Sequence, residues 1–342
     1  MIDNQTFTGP AERAHADEWF ALHVFLSDAA QVDRFLVDWA GPTVKALLGA
    51  GAATSWFFLR YWESGPHLRL RVRGLTAATR QVLLERATAI VPNHVSADPP
   101  QRDSYYRNHF FDGQPLDPAS LSWFDEGSVI VHPYEPEWRR YGGLDAMQVN
   151  EQLFDLSSTL ALSLIRASER DLPRRFALAA SLMPFFALAW APGTENLVRF
   201  FEDYVAYWSA SSTQVKAMDR PTTTVPSAEQ CEQLARQIRT ARDQRPPAVR
   251  TPAAMLMAGL DAAVLHWDEL REDGRLVSVI TGLPVRGEDD CQRTFQAMLA
   301  SQLHMLNNRL GLAPLQEVAL ARSLARTARA LLASQQSEPI PA

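Results

Sequence analysis

The chain has 342 residues, 46% of them hydrophobic, and a net charge of −6. This length suits one large domain with a sizeable core or two closely packed ones. The acidic balance argues against a general nucleic-acid binder, whose affinity comes mainly from attraction to phosphates.

No apolar run approaches the roughly 18 residues of a membrane span. The N-terminal stretch carries Asp, Glu and Arg and lacks the basic start and apolar run of a secretory signal. The only cysteines, Cys231 and Cys291, have no CxxC spacing and support neither a disulfide framework nor a zinc site. These features predict a cytoplasmic protein that neither spans nor binds a membrane. Its 33 basic residues include only two lysines, Lys45 and Lys216. Lysine chemistry is therefore confined to two positions, whereas arginine, always protonated, is plentiful for carboxylate or phosphate binding.

In chain order, residues 19–26 read as a strand rich in β-formers, and 29–50 have helical spacing. Residues 54–62 and 67–73 flank the turn Glu63-Ser64-Gly65-Pro66 and predict a hairpin over 54–73. A helix follows at 76–91. Residues 93–127, with Pro99, Pro100, Pro115, Pro118 and many aromatics, read as a long ordered insertion with little regular structure. A short strand is expected at 128–134. From Met147 the pattern is helical, near 147–169, 174–191, 195–209, 227–243, 252–271, 291–310 and 314–335. Breakers fall at 211–227 and 244–252, and 274–283 fits either a short strand or a helix end. The tail 336–342 is expected to be disordered. Strands first and helices after predict an α+β fold in a single domain over 1–335, with a β-rich part at 19–143 and a helical part at 147–335.

Three segments carry candidate chemistry. In His67-Leu68-Arg69-Leu70-Arg71-Val72-Arg73, strand alternation puts His67, Arg69, Arg71 and Arg73 on one face and the apolar residues on the other. Such a face is either a solvated surface that blocks edge pairing or a cradle for an anion, and spacing leaves both open. In Tyr134 to Gly143, Arg139 and Arg140 precede Tyr141-Gly142-Gly143, which by itself reads as a loop anchor. In the third, Leu299, Leu303, Leu306 and Leu310 face a core, while Ser301, His304 and Asn308 share another helix face. His304 there is either a hydrogen-bonded helix residue or a catalyst. The chain has no HExxH or HxxxH, no phosphate-binding loop, no GxGxxG and no GxSxG, so no metal or cofactor is expected.

Taken together, these segments resemble the C-terminal elimination domain of class I lanthipeptide dehydratases, found alone as the thiopeptide-type bacteriocin biosynthesis family. The resemblance rests on Trp19-Phe20, on Trp56 to Trp62, and on Gly65-Pro66-His67-Leu68-Arg69-Leu70-Arg71. It also rests on Tyr134 to Gly143, His304-Met305 and Asn308-Arg309-Leu310, and it spans about 19–312. It implies a lyase that expels glutamate from glutamylated Ser or Thr of a ribosomal precursor peptide, leaving dehydroalanine or dehydrobutyrine.

By motif position, Arg69, Arg71, Arg140 and His304 would be catalytic. Arg60, Tyr61, His67, Tyr141 and Asn308 would bind substrate. The partners implied are the precursor peptide, a separate glutamyl-tRNA-dependent glutamylation protein, and a second copy in a homodimer. Two alternatives remain. One is a pyridine synthase joining two dehydroalanines in a formal [4+2] cycloaddition with leader-peptide ejection. The other is an inactive subunit that only binds the precursor.

Overall fold

The computed structural model describes residues 18–106, 110–111, 114–115, 121–168, 171–211, 227–242 and 251–337. Contacts divide the chain into two compact units. The first comprises Met1–Pro136, Ser157–Leu172 and Asn308–Gly311; the second comprises Glu137–Leu156, Pro173–Asn307 and Leu312–Ala342.

The first unit is built on a four-stranded antiparallel sheet. Its strands are β1 (Trp19–Val24), β2 (Ser55–Tyr61), β3 (His67–Arg73) and β6 (Val129–Val131), in the order β2-β3-β1-β6. The expected 54–73 hairpin is β2–β3, with Tyr61 opposite His67 and Ser55 opposite Arg73. β3 lies between β1 and β2, and Trp19 stands opposite Arg73. Alternation makes one face apolar: Phe20, Leu22, Val24, Trp56, Phe58, Leu68, Leu70 and Val72 are all buried. Burying this face stabilises the unit by ~25 cal/mol per Å² of apolar area.

Helices cover that face. α1 (Ala29–Phe35) runs through a π turn at Leu36–Ala40 into α2 (Gly41–Gly49), so the expected 29–50 helix is one element with a local widening. α3 (Ala77–Ile90) begins at Thr76, whose hydroxyl accepts the Thr79 N–H. The last half of α5 (Leu144–Ser168) ties on through Ser158, whose hydroxyl accepts the Phe58 N–H (3.2 Å), and Thr159, which accepts from Trp56 Nε1 (3.3 Å).

Within 93–127 the regular structure is α4 (Arg102–Tyr106) and the two-residue strands β4 (Phe110–Phe111) and β5 (Gln114–Pro115). The rest of 107–120 lies outside the described residues. Glu126 anchors this stretch, accepting the Ser27 N–H on one carboxylate oxygen and the Ser96 N–H on the other, each at 2.9 Å. A cavity of 310 Å³ opens among Phe25, Pro66, Pro99, Pro100, Trp123 and Phe124.

The second unit is helical. It contains the first half of α5, then α6 (Leu172–Trp190), α7 (Thr194–Ser211), α8 (Ala228–Arg242), α9 (Pro252–Glu272), α10 (Gly287–Arg309) and α11 (Pro314–Ser337). The expected helix at 291–310 starts four residues earlier, where Glu288, Asp289 and Asp290 lie in the first turn and suit the positive end of the helix dipole. Segment 274–283 is a turn closed by a single bridge between Val277 and Pro284. The expected breakers at 211–227 and 244–252 fall largely outside the described residues, as do residues 338–342 of the expected tail. α11 runs to Ser337. No single helix among the described residues is long and apolar enough to cross a membrane.

Candidate functional site

The face of the sheet opposite the apolar one carries the arginines, and each guanidinium sits on an aromatic ring. Arg69 Cζ lies 3.5 Å from the Tyr61 ring centroid. Arg71 lies 4.5 Å from Tyr134 and 5.1 Å from Phe57, and Arg73 lies 5.9 Å from Trp19. Phe57, Trp19 and Tyr134 pack edge-on around Arg71. Register explains these partners. Phe57 stands directly opposite Arg71, and Trp19 directly opposite Arg73. Stacking on rings holds a guanidinium in place while its N–H edge keeps donor capacity.

Between the arginines and the β6 edge runs a file of histidines. His67 stacks on His23 (4.8 Å between centroids), and His23 stacks on His132 (4.7 Å). His67 and His23 are buried. Burial, with the Arg69 and Arg71 charges and His132 adding to it, pushes His67 down to about 4; the Gly65 hydrogen bond opposes this only in part. Burial first, then His67 and Arg69, pushes His23 down to about 2. Both rings are thus neutral at pH 7, and the face's charge belongs to its guanidiniums. His67 Nδ1–H donates to the Gly65 carbonyl (2.8 Å), and Arg69 Nε–H donates to His67 Nε2 (3.0 Å).

Arg60 and Asn308 lie elsewhere in the same unit. Arg60 is on the apolar face, where Nη2 pairs with Asp33 at 2.6 Å. The Asn308 amide accepts the Arg60 N–H (2.8 Å) and donates to its carbonyl (2.9 Å), pairing the edge of β2 as a strand would. Arg309, fully buried, donates through Nε to Ser158. The structure therefore brings Tyr61, His67, Arg69 and Arg71 together and sets Arg60 and Asn308 on the framework side.

In the second unit Arg140 lies in a 3-10 turn, Trp138–Tyr141, that ends on Gly142 and Gly143, at φ 83° and 99°. The positive φ favours glycine at 142, and a Cβ there would fall 2.8 Å from the side-chain ends of Leu276 and Met298, which would have to shift. Arg140 Nε–H donates to Ser301 (3.0 Å), and its Nη1 lies 3.7 Å from Glu137. Tyr141 is buried edge-on against Phe154.

Ser301 and His304 are one turn apart on α10, so the Arg140 tether and the histidine share a helix face. His304 Nδ1–H donates to Glu317 Oε2 (3.1 Å) and its ring leans on Trp208 (4.7 Å). Glu317 has no exposed surface, while His304 retains 15%. Tyr204 Oη–H (2.6 Å) and Asn307 Nδ2 (3.4 Å) donate to the same oxygen. Burial, and then the neighbouring carboxylate, raise the Tyr204 phenol well above its ordinary value, so it stays a donor. A carboxylate held this way fixes the imidazole tautomer and leaves Nε2 to exchange protons.

Glu317, Tyr204, Trp208 and His23 escape sequence reading. Glu317 sits in the first turn of α11, where an acid is ordinary dipole chemistry, and only the packing of α11 on α7 reveals its partners. Among the described residues no group of three His, Cys, Asp or Glu side chains is placed to hold a metal ion.

An α+β chain with a ring-seated arginine face and a carboxylate-oriented histidine is equipped for an anionic substrate and for proton transfer. It belongs to the lantibiotic biosynthesis dehydratase C-terminal family, whose model matches residues 19–328. The pyridine synthase TbtD from thiomuracin biosynthesis has a similar structure (TM-score 0.68, 17% identity, covering 93% of this chain and 100% of that one). So does TsrL (0.63, 18%, 95% and 99%).

The tRNA-dependent lantibiotic dehydratase MibB from Microbispora sp. 107891 matches at 0.55 and 20% identity, over 97% of this chain but 29% of its own. At these identities the likeness is one of fold. No curated protein matches. Family membership supports a role in modifying ribosomally made peptides, alongside a precursor peptide and partner modification proteins.

Proposed function

We propose that the protein is a lyase that eliminates glutamate from glutamylated Ser or Thr of a precursor peptide. In this reaction a base takes the Cα proton, a Cα=Cβ bond forms, the Cβ–O bond breaks, and glutamate leaves as a carboxylate. Two kinds of group are needed: cations that hold the glutamyl carboxylate, and a base with a partner for charge developing on the adjacent carbonyl.

Arg69 and Arg71 are assigned the first task, with Tyr61 beside them. His304, oriented by Glu317, is assigned the proton, and Arg140 the carbonyl charge, since a fixed guanidinium donor suits an oxyanion. The observation that carries the reading is the arginine face itself. Its guanidiniums rest on rings beside buried histidines held neutral, so the cationic groups of this face are its arginines. A cycloaddition has no glutamate to bind and less use for it.

One observation favours the cycloaddition reading: the fold likeness to a pyridine synthase extends over the whole of that chain. One experiment separates the readings. Incubation with a glutamylated precursor peptide, followed by mass spectrometry, should show loss of glutamate and a gain of dehydroamino acids. If that peptide is unchanged while a bis-dehydroalanine peptide is turned over, the elimination reading falls. Binding with no mass change on either peptide would mark an inactive subunit.

A further inference from the structure

The turn between β2 and β3 does not stand alone. The Gly65 N–H donates to the Tyr106 hydroxyl at the end of α4 (3.0 Å), and the Phe124 N–H donates to the Ser64 carbonyl (3.0 Å). Ser64 and Gly65 have φ of 66° and 106°. Ser64 is the only residue other than glycine with positive φ among the described residues, a conformation that persists only where its surroundings hold it. Phe25, Trp123 and the Phe124 carbonyl close around Gly65, at 3.4 to 3.6 Å from where a Cβ would sit.

This turn geometry carries forward along β3. It aims the Gly65 carbonyl at His67 Nδ1 (2.8 Å), and that bond places the ring proton on Nδ1. His67 Nε2 is then a lone-pair acceptor, and it accepts the Arg69 Nε–H (3.0 Å). Phe25, His23 and Tyr61 enclose the His67 ring, and Arg69 Cζ lies over the Tyr61 ring. With Nε committed to His67 and Cζ over the Tyr61 ring, the guanidinium is fixed at two points.

We infer that Tyr106 and the Trp123-Phe124 pair brace Arg69, acting through the 64–65 turn and His67 to fix the guanidinium. His67 and Tyr106 are on this account positioning residues. The gain is pre-organisation: a guanidinium held in one plane loses less entropy when it grips a carboxylate. The inference rests on Arg69 being an anion-binding residue, but its primary test does not require turnover.

The test uses the full chain labelled with ¹⁵N at His and Arg. At pH 7, ring correlations should show His67 protonated at Nδ1 and bare at Nε2, and the Arg69 Nε–H should exchange slowly with water. In His67→Phe that exchange should quicken roughly tenfold, the scale expected for loss of one buried hydrogen bond. His67→Gln, whose side-chain oxygen reaches near the position of Nε2, should restore slow exchange.

Tyr106→Phe deletes one oxygen and should move exchange the same way by a smaller factor. It also serves if His67→Phe does not fold. With glutamylated peptide, His67→Phe should raise KM more than it lowers kcat, and His67→Gln should recover KM. A proton on Nε2, or Arg69 exchange unmoved in folded His67→Phe or Tyr106→Phe, overturns the brace. The expected exchange pattern with no turnover of glutamylated peptide keeps the brace and removes the elimination reading.

Discussion

Arg69 and Arg71 sit among different rings of the same face. Arg69 is held by a hydrogen bond to His67 as well as by the Tyr61 ring, whereas Arg71 lies among Tyr134 and Phe57. Replacing either with Ala removes a fork that no lysine reproduces, so Arg69→Lys should behave much like Arg69→Ala. Both should stall the peptide at the glutamyl ester, with kcat/KM down by about 10²–10³, the usual cost of a lost charge-stabilising donor. Mass spectrometry would detect the ester accumulating; a fully active Arg69→Ala would remove the anion cradle.

His304 makes a separate demand. Glu317→Gln keeps the shape but removes the charge that stabilises an imidazolium. It should lower kcat by about 10²–10⁴, the range of acid–base contributions, with smaller change in KM. A pH–rate profile left unchanged in Glu317→Gln would mean that the carboxylate only packs. The histidine was visible in the sequence on a polar helix face beside Ser301, because helical spacing fixes that face. Its partner was not, because Glu317 is thirteen positions away, across a turn, and meets it only in the fold.

At the level of elements, the sequence showed what depends on local pattern. The β2–β3 hairpin was legible because Glu63-Ser64-Gly65-Pro66 is a strong turn signal between two runs of β-formers. Every long helix was placed to within a few residues by its apolar spacing. What alternation along one strand could not say is which strand lies beside it. The insertion of β3 between β1 and β2 brings His23 next to His67, and no local pattern encodes that pairing.

The same holds for Arg60 and Asn308. Both were attached to the site by motif, yet the edge of β2 uses Asn308 as a surrogate strand and Arg60 faces Asp33. Asn308→Ala should therefore cost about 1 kcal/mol in unfolding free energy, since two part-buried backbone groups lose their partner. Urea titration would measure this, and an unchanged midpoint would show that the edge is paired by other means. Gly142→Ala belongs with it. A methyl at φ 83°, within 2.8 Å of Leu276 and Met298, should destabilise the second unit by more than about 1 kcal/mol and displace the Arg140 turn.

For the molecule as a whole, the histidine file links the chemistry of the arginine face to folding. His67 faces Tyr61, Arg69 and Arg71, His23 and Phe25, and His23 faces His132 on its other side. Burial among cations keeps both rings neutral in the native state, at about 4 for His67 and about 2 for His23. An unfolded histidine titrates near ~6.5.

Above that value both states are neutral and the full stability is present. As the pH falls below it, the unfolded chain takes up protons that the folded chain refuses, so stability drops. The loss from His67 is complete near its folded value, and that from His23 continues lower still. Between about pH 6 and pH 5, two protons' worth of difference approaches a slope of ~2.7 kcal/mol per pH unit, before most carboxylates begin to titrate.

Urea unfolding at pH 7, 6 and 5 should show that slope. In His67→Gln the slope should fall by about one proton's share, with His23 still refusing a proton and His94, lowered by burial, adding to the remainder. Stability flat across this window would mean that the two rings accept protons in the folded protein. The arginine face would then carry additional positive charge, and the neutral acceptor that Arg69 requires at His67 would be lost within the same pH range.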